Sequence, residues 1–431
     1  MIPVRHSETR APSKGHLLFI SRQRIIGKTN GSSAYLLDLA AATRNAGFTP
    51  HLVQPSPDLM GRWPFMRLRP EMSVFESQSI RGVLRIGRWI LAKNPRIVID
   101  AIRAIMSRAG RRLGLKGIWL ADKPRPYAIT MPWTPADRSF VKNHASRIAD
   151  VIIADYAFQA EAFDIFPGKP CAIVMHDLFS SRDGHAGDRD SVPRVDRDSE
   201  IALLARADAV IAIQSSEADF LVEHVPSTKP ILAHMAAQPI EHAQQGLGSR
   251  LLFVGSNTAP NIVGLEWMFE KVWPLLRARA PDLTLDVAGS VAAGFPHGGP
   301  AGVVFHGMVN DLAPFYALAG VIVSPLTFGS GLKIKLIEAL AQGKAVVATS
   351  VTLQGVEQQC AGAVAQADGP DAFAAAILAL ADDESRLTLA EAALAVAREH
   401  FSPQACHGDF IAWLTESTSK GGHSPAAVQP K

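Results

Sequence analysis

The chain has 431 residues and a net charge of +3, and 48% of its residues are hydrophobic while 19% are charged. This composition is typical of a globular protein and excludes an intrinsically disordered chain. The length is too great for one ordinary core and predicts two or three domains. No apolar run reaches the roughly 18 residues that a membrane-spanning helix needs.

The termini and the cysteines indicate the compartment. Residues 1–15 are polar and lack an apolar core, which predicts a disordered leader rather than a secretory signal, and residues 417–431 are predicted to be a disordered tail. Cys171, Cys360 and Cys406 are far apart and odd in number. That pattern argues against a disulfide framework or a zinc cluster and favours a reducing, cytoplasmic location.

The N-terminal part begins with a strand, a loop, a helix and a second strand. Apolar runs predict strands at 16–21 and 48–54, and helical spacing predicts a helix over 32–45. The loop between them contains Gly27 and Gly31. These glycines do not form the dinucleotide fingerprint G-x-G-x-x-G, so a plain turn explains them as well as a ligand-binding loop.

A basic segment follows, with fifteen Lys or Arg residues against four acidic residues between Arg62 and Arg125. The spacing of Arg81, Arg85 and Arg88 predicts one helical face. A basic amphipathic helix suits an anionic membrane surface, and a solvated basic helix is the alternative. We expect no nucleic-acid partner, because no recognised nucleic-acid-binding module accompanies the charge.

The pair His176-Asp177 directly follows the apolar run 171–175. Open α/β sheets place their active sites at the carboxyl ends of parallel strands. This position favours a catalytic role for both side chains, although a histidine that caps the next loop would have the same sequence.

A strand–loop–helix–strand unit also occupies residues 320–349. Its loop contains Gly329 and Gly331, and Gly343 stops its helix. Such a junction offers free backbone N–H groups and the positive helix end to an anion.

The spacing inside this unit places Gly331, Lys335 and Glu338 on one helical face. A bound anion would meet the backbone of the glycine loop and the Lys335 ammonium, and Glu338 could accept hydroxyl hydrogens, as on a ribose. A surface ion pair between Lys335 and Glu338 beside an ordinary turn explains the spacing equally well. Leu336 and Leu340 share another face, which we expect to be buried.

Several motifs between about 250 and 360 occur in a characteristic order: Phe253–Ser256, Pro260-Asn261, Val287–Gly289, Gly307 with Asp311, Ser324–Leu326, and Lys335–Gly343. This segment resembles the nucleotide-sugar site of the bacterial group 1 glycosyltransferases. The resemblance implies an α/β fold with two Rossmann-like domains facing each other across a cleft, the GT-B architecture. Many relatives have a glutamate eight residues before the position of Glu338, where this chain has Ser330.

The resemblance also implies the domain order. Residues 16–240 would form an N-terminal acceptor-binding domain and residues 241–400 a C-terminal nucleotide-sugar-binding domain. A helix over 401–416 would return to the first domain.

The same resemblance implies roles for particular residues. The residues expected to bind the donor are Gly255, Ser256, Asn257, Gly329, Ser330, Gly331, Lys333, Lys335 and Glu338. Catalytic roles are expected for His176, for Asp177 as the base of an inverting reaction, and for Lys335. Gly27 and Gly31 would belong to a loop of the first domain that faces the cleft.

A metal requirement is not expected. Asp188-Arg189-Asp190 and Asp196-Arg197-Asp198 each match the D-x-D metal motif of the other major glycosyltransferase fold, but neither directly follows a hydrophobic strand. We therefore predict no metal and no cofactor, with Lys335 as the cation that faces the leaving phosphate.

The expected partners are a nucleotide-diphosphate sugar, a saccharide or lipid-linked acceptor of envelope polysaccharide or lipopolysaccharide synthesis, and an anionic membrane surface. The expected location is the cytoplasm, with peripheral attachment to the inner face of the plasma membrane as an addition. A nucleotide-sugar epimerase of the same fold and a non-catalytic nucleotide-sugar-binding protein are the alternatives.

Overall fold

The computed structural model describes residues 13–56, 63–112, 128–145, 149–181, 195–329 and 333–420. These residues form two compact units. The first contains the described residues up to Ala212, then Glu217–Ile231 and the described residues from Asp409 onward. The second contains Ile213–Ser216 and Leu232–Gly408.

The described residues up to Leu232 contain ten strands: β1 His16–Ile20, β2 Thr49–Gln54, β3 Phe65–Arg67, β4 Ser77–Ile80, β5 Val83–Ile86, β6 Trp89–Ala92, β7 Val151–Asp155, β8 Cys171–Val174, β9 Ala209–Ala212 and β10 Lys229–Leu232. Seven of them form one sheet in the order β10-β9-β8-β7-β1-β2-β4, in which the pairs from β9 to β4 are parallel. The other three form a separate antiparallel sheet in the order β3-β6-β5.

The helices described over the same span are α1 Gly31–Asn45, α2 Pro95–Arg112, α3 Pro135–Ala145, α4 Arg197–Leu204 and α5 Ser215–His224. Helix α1 begins where the sequence predicts it, because the side chains of Asn30 and Ser33 cap its first turn reciprocally. The predicted strand–loop–helix–strand order at the N-terminus is therefore confirmed.

The second unit contains one six-stranded sheet. Its strands are β11 Leu247–Val254, β12 Thr284–Ala288, β13 Val303–Gly307, β14 Ala319–Ser324, β15 Ala345–Ala348 and β16 Ala365–Gln366. All of their pairings are parallel, in the order β13-β12-β11-β14-β15-β16. The helices from this point onward are α6 Ala259–Trp267, α7 Trp273–Arg279, α8 Ala313–Leu318, α9 Ile334–Ala341, α10 Ser350–Leu353, α11 Pro370–Ala379, α12 Asp383–His400 and α13 Pro403–Lys420.

Both faces of the second sheet are buried. Leu252 and Ile322 belong to one apolar cluster, which also contains Leu336 and Leu340 of α9. Their neighbours Leu251 and Val321 point the other way into a second cluster. Strands buried on both faces must be apolar throughout, which explains why continuous apolar runs predicted them correctly.

The predicted basic helix is wrong at its beginning. Arg85 lies in β5, and Arg81 and Arg88 lie in the turns on either side of β5, so these three arginines do not share a helical face. Gly87, in the two-residue turn between the antiparallel strands β5 and β6, has φ 59°, a left-handed conformation that such tight turns require.

Arg81 is in addition not a free surface charge. It donates to a carboxylate oxygen of Asp137, whose side chain is 1% exposed. The helical prediction holds further along the chain, where α2 begins at Pro95.

Candidate active site

His176 lies two residues beyond the end of β8, at the carboxyl edge of the first parallel sheet. Its Nε2 is 2.7 Å from Oδ1 of Asp155, the last residue of the neighbouring strand β7. The side chain of His176 is 5% exposed and that of Asp155 is fully buried. An ionised carboxylate only accepts hydrogen bonds, so this contact places a ring hydrogen on Nε2, and in the neutral form of the ring Nδ1 is then the acceptor.

Asp155 is itself held by the end of β1. Its Oδ2 accepts hydrogen bonds from Ser21 Oγ at 2.5 Å and from Gln23 Nε2 at 2.7 Å. Both carboxylate oxygens are therefore engaged, and the direction of the carboxylate toward His176 is fixed. Buried groups of this kind must be fully hydrogen-bonded, because an unpaired buried charge is costly.

Tyr156 fixes the imidazole from its ring face. The two ring centroids are 4.2 Å apart, and the Tyr156 hydroxyl donates to Ser32 Oγ at 2.7 Å. Tyr35 contacts the imidazole edge-on at 5.7 Å. Among the residues described, Tyr156 is the one residue other than glycine with a positive φ, at 76°. Such a conformation costs on the order of 1 kcal/mol and is found most often at functional sites.

Asp177 points into the loop that follows. Its Oδ1 accepts from the amide of Leu178 at 2.9 Å. The buried carboxylate of Glu200 accepts from the next two amides, those of Phe179 and Ser180, at 2.9 and 2.8 Å. The chain after His176 is therefore anchored from two sides.

The predicted glycine loop of the first unit lies at the carboxyl end of β1. Gly27 has φ 147°, and a Cβ there would approach Arg69 Cδ to 2.6 Å. Gly31 is the first residue of α1. Ser32, which follows it, holds Tyr156, so this loop borders the His176 cluster.

In the second unit, Gly255, Ser256 and Asn257 form the turn between β11 and α6. The amide of Asn257 donates to Ser290 Oγ at 2.9 Å, and Asn261 Nδ2 donates to the Ser256 carbonyl at 2.9 Å. A Cβ at Gly289 would lie 2.1 Å from the carbonyl oxygen of Gly255. The turn is thus closely packed on backbone and locked by two side chains.

The loop after β14 lies against this turn. Gly329 has φ 121°, and a Cβ there would come within 3.1 Å of Pro260 Cγ. A Cβ at Gly264 would come within 2.8 Å of the Pro325 carbonyl oxygen. Because β11 and β14 are paired, both glycine-containing loops come together at one edge of the second sheet.

Helix α9 begins at this edge. Lys333 precedes its first residue and donates from Nζ to the Gly329 carbonyl at 3.1 Å. Lys335 Nζ lies 2.6 Å from Glu338 Oε2, and the two side chains are 47% and 35% exposed. The described helix begins at Ile334 and contains Lys335 and Glu338, while Gly331 of the predicted helical face lies outside the described residues.

Two predicted donor-binding residues, Ser330 and Gly331, lie outside the described residues. The structure brings the remaining ones, 255–257 with Gly329, Lys333, Lys335 and Glu338, to one edge of a single sheet. Tyr316 of α8 is buried near Glu338. Burial raises the pKa of the Tyr316 hydroxyl, and the negative charge of Glu338 raises it further. The Tyr316 hydroxyl is buried without a hydrogen-bond partner.

The two D-x-D motifs differ in what the structure describes. Asp188-Arg189-Asp190 lies outside the described residues, and Asp196 caps α4 by accepting from the Ser199 amide at 2.9 Å. Across the described ranges, no three His, Cys, Asp or Glu side chains are grouped so that they could hold a metal ion.

Sequence reasoning missed Asp155, Tyr156 and Glu200. Asp155 carries the signal that identified His176, because it ends an apolar strand at the same edge of the sheet. Tyr156 and Glu200 have no comparable signal, since a positive φ and a hydrogen bond across twenty residues are not visible in one sequence.

Comparison with known proteins gives the class. Residues 248–383 match the model of the family described as "Glycosyl transferases group 1". An uncharacterized 44.6 kDa protein of the cps region of Klebsiella pneumoniae is 28% identical over 116 residues, which are 24% of this chain and 30% of that protein.

Solved structures are similar over nearly the whole chain. Sucrose-phosphate synthase from Thermosynechococcus elongatus gives a TM-score of 0.59 at 14% identity and covers 94% of this chain and 100% of its own. Anabaena HepE in complex with UDP and glucose gives 0.57 at 14%, covering 93% and 99%. A Rickettsia africae glycosyltransferase gives 0.56 at 10%, covering 94% and 98%. At these identities the likeness establishes the fold.

The predicted GT-B fold is therefore confirmed. Residues 248–383 match the group 1 glycosyltransferase model, and the similar structures place the chain in the GT-B fold. None of the helices in the described ranges is both long and apolar enough to cross a membrane.

Proposed function

We propose that the chain transfers a sugar from a nucleotide-diphosphate sugar to a saccharide or lipid-linked acceptor of cell-envelope polysaccharide. The family match carries this proposal, because its range contains both loops of the second sheet and the start of α9. The structure of HepE with UDP and glucose supports a nucleotide-sugar donor. The relative from a cps region supports a role in polysaccharide synthesis.

The second unit would stabilise the leaving group. Negative charge grows on the nucleotide diphosphate as the glycosidic bond to it breaks. Backbone amides at the start of α9 and the ammonium of Lys335 are the groups suited to that charge. Lys335 is now paired with Glu338, and both side chains are exposed, so an incoming phosphate can replace Glu338 at little cost.

Glu338 would then accept hydroxyl hydrogens of the ribose, as its place one turn into the helix allows. Gly255, Ser256 and Asn257 would supply the opposite side of the phosphate site. The locked turn supports this role, since a rigid site loses less entropy when it binds.

The first unit would act on the transferred sugar or the acceptor. His176 is directed by Asp155 and Tyr156, and its Nδ1 can accept a hydrogen from a hydroxyl group. Asp177 is the base that we propose for an inverting reaction. No metal ion and no cofactor enters this mechanism, in which Lys335 supplies the positive charge.

A screen of UDP-, GDP- and dTDP-sugars tests the proposal. One donor class should raise the melting temperature. At a donor concentration of about a hundred times Kd, the free energy of unfolding should rise by about 3 kcal/mol. That donor should also release its nucleotide only when a short envelope saccharide is added. Conversion of the donor without an acceptor would instead indicate an epimerase. Binding without any release would indicate a non-catalytic protein, and either result would contradict the proposal.

A further inference from the structure

The antiparallel sheet of β3, β6 and β5 has an unusual outer face. Directly paired residues share a face, and the pairing gives two rows on one side, Phe65–Leu91–Leu84 and Arg67–Trp89–Ile86. Every apolar side chain of these rows is exposed, from 36% for Leu91 to 60% for Ile86. Met66 and Ile90, on the opposite face, are buried.

This arrangement presents apolar residues to solvent as a contiguous surface. Single exposed apolar residues are normal on proteins, but five large ones in adjacent rows of one small sheet mark an interaction site. Trp63, which precedes β3, is also 56% exposed.

Helix α2 carries a second group of exposed apolar side chains. Val98, Ile102 and Ile105 follow the helical spacing i, i+4, i+7, and they are 40%, 53% and 64% exposed. Ile97, in the first turn, is buried, and α2 contacts β6. The helix is thus held to the sheet while its apolar stripe is left uncovered.

The charges around this surface are mostly positive. The exposed basic residues between positions 63 and 106 are Arg67, Arg69, Arg85, Arg88, Lys93, Arg96 and Arg103. Arg85 pairs with Ile90 and therefore lies on the opposite face of the sheet from the two rows. The exposed acidic side chains of the same span are both paired, Glu76 at 3.4 Å from Arg44 and Asp100 at 3.9 Å from Arg103. The guanidinium of Arg67 lies 5.9 Å from the centre of the Trp89 ring, so one of the positive charges lies directly beside the exposed apolar side chains.

This combination of charge and apolar surface favours a lipid surface as the occupant. A second copy on a two-fold axis would bring the same basic residues together, and like charges oppose such an interface. An anionic bilayer accepts apolar side chains below its headgroups and attracts Lys and Arg at them.

We propose that β3, β5, β6 and α2 form a membrane-docking face for an anionic lipid bilayer. The apolar rows and the α2 stripe insert at the headgroup level, while the surrounding Lys and Arg side chains contact lipid phosphates. This inference rests on the surface alone and does not require the glycosyl transfer proposed above, although it would keep a lipid-linked acceptor within reach.

Vesicle sedimentation of the full chain without donor tests the face. Wild-type protein should bind vesicles of phosphatidylcholine with phosphatidylglycerol much more tightly than phosphatidylcholine alone. Leu84→Asp with Ile86→Asp should lower the partition coefficient about a hundredfold, because two apolar contacts are lost and two negative charges are added. Val222→Asp is the matched control, since Val222 on α5 is 66% exposed and lies outside the face.

A charge variant keeps the test valid if the double Asp variant does not fold. Lys93→Glu with Arg96→Glu alters two exposed side chains and should weaken binding about a hundredfold at low salt and less at high salt. Arg279→Glu, an exposed arginine of the second unit, should bind as wild type does.

Three results would overturn the proposal. The wild-type protein would show no preference for anionic vesicles, or the variants would bind vesicles as the wild type does. In the third case, the wild-type protein would be a dimer and the variant with Leu84→Asp and Ile86→Asp a monomer. Nucleotide release with a soluble acceptor separates this inference from the proposed function. Release that survives in variants without vesicle binding supports both, and absent release with intact vesicle binding contradicts the proposed function alone.

Discussion

The His176 cluster and the start of α9 both lie at the carboxyl edge of a parallel sheet, but they are held very differently. His176 is buried and is fixed by Asp155 at one nitrogen and by Tyr156 on its ring face. Lys335 is about half exposed and its partner Glu338 is one turn away on the same helix.

This difference indicates two kinds of chemical task. A group that must point in one direction benefits from buried, fully hydrogen-bonded neighbours, which remove alternative orientations before the substrate arrives. A group that must receive a large anion benefits from a partner that is easily exchanged, because an exposed ion pair contributes at most about 1 kcal/mol. The neighbours of His176 hold it in one orientation, whereas the ion pair of Lys335 with Glu338 can be exchanged for a contact with the substrate.

We expect the largest effect from replacing Lys335, the exposed cation at the start of α9. Lys335→Ala should lower kcat by about a hundredfold or more, as expected when one stabiliser of transition-state charge is removed. The melting temperature should change little, since only an exposed pair is lost. Steady-state kinetics and a thermal melt measure both.

Lys271→Ala provides the control, because Lys271 is also exposed in the second unit but does not belong to α9 or to the loop before it. Near-normal turnover in the Lys335 variant would remove Lys335 from the mechanism and leave the ion pair as a surface feature.

A smaller effect tests the rigid cluster. Asp155→Asn keeps the size of the side chain but replaces one accepting oxygen with a donor, so His176 loses its fixed orientation. We expect kcat to fall about tenfold, in the range of lost positioning of a catalytic group, while KM for the donor stays within about twofold.

A double-mutant cycle distinguishes this from a general structural effect. In a His176→Ala background, Asp155→Asn should lower kcat no further, because the orienting residue has nothing left to orient. Additive losses in the cycle would show that Asp155 does not act through His176.

The smallest expected effect concerns metal ions. If Lys335 is the cation at the leaving group, turnover should be unchanged by EDTA and should not rise with Mg²⁺ or Mn²⁺. Complete loss of turnover with EDTA, restored by added metal, would redirect attention to the aspartates between 188 and 198 and would weaken the contrast drawn between the two regions.

The strongest sequence predictions come from patterns that one strand or helix satisfies by itself. Apolar runs predicted β1, β8 and β14, because buried parallel strands are apolar on both faces. Leu336 and Leu340 were predicted to be buried from spacing alone, and they are 2% and 0% exposed.

The weakest prediction concerns the basic segment. A count of charges cannot distinguish a helix from an antiparallel sheet, and Val83–Ile86 and Trp89–Ala92 do not alternate apolar with polar residues, because apolar residues also occupy the exposed positions of β5 and β6. Half-buried strands usually have polar residues at their exposed positions, and this sheet has apolar ones there. The same exposed apolar residues indicate the membrane-docking face.

The sequence by itself indicated two α/β units, the resemblance of one segment to group 1 glycosyltransferases, and the residues that follow the strands, since these depend on local periodicity and on motif order. Only the tertiary structure decided that Asp155 and Tyr156 contact His176, that Ser21 holds Asp155, and that Arg81 is held at a buried carboxylate. The physical reason is range: strand and helix signals repeat every two to four residues, whereas the groups that orient His176 come from strands separated by more than a hundred residues and meet only when the sheet is assembled.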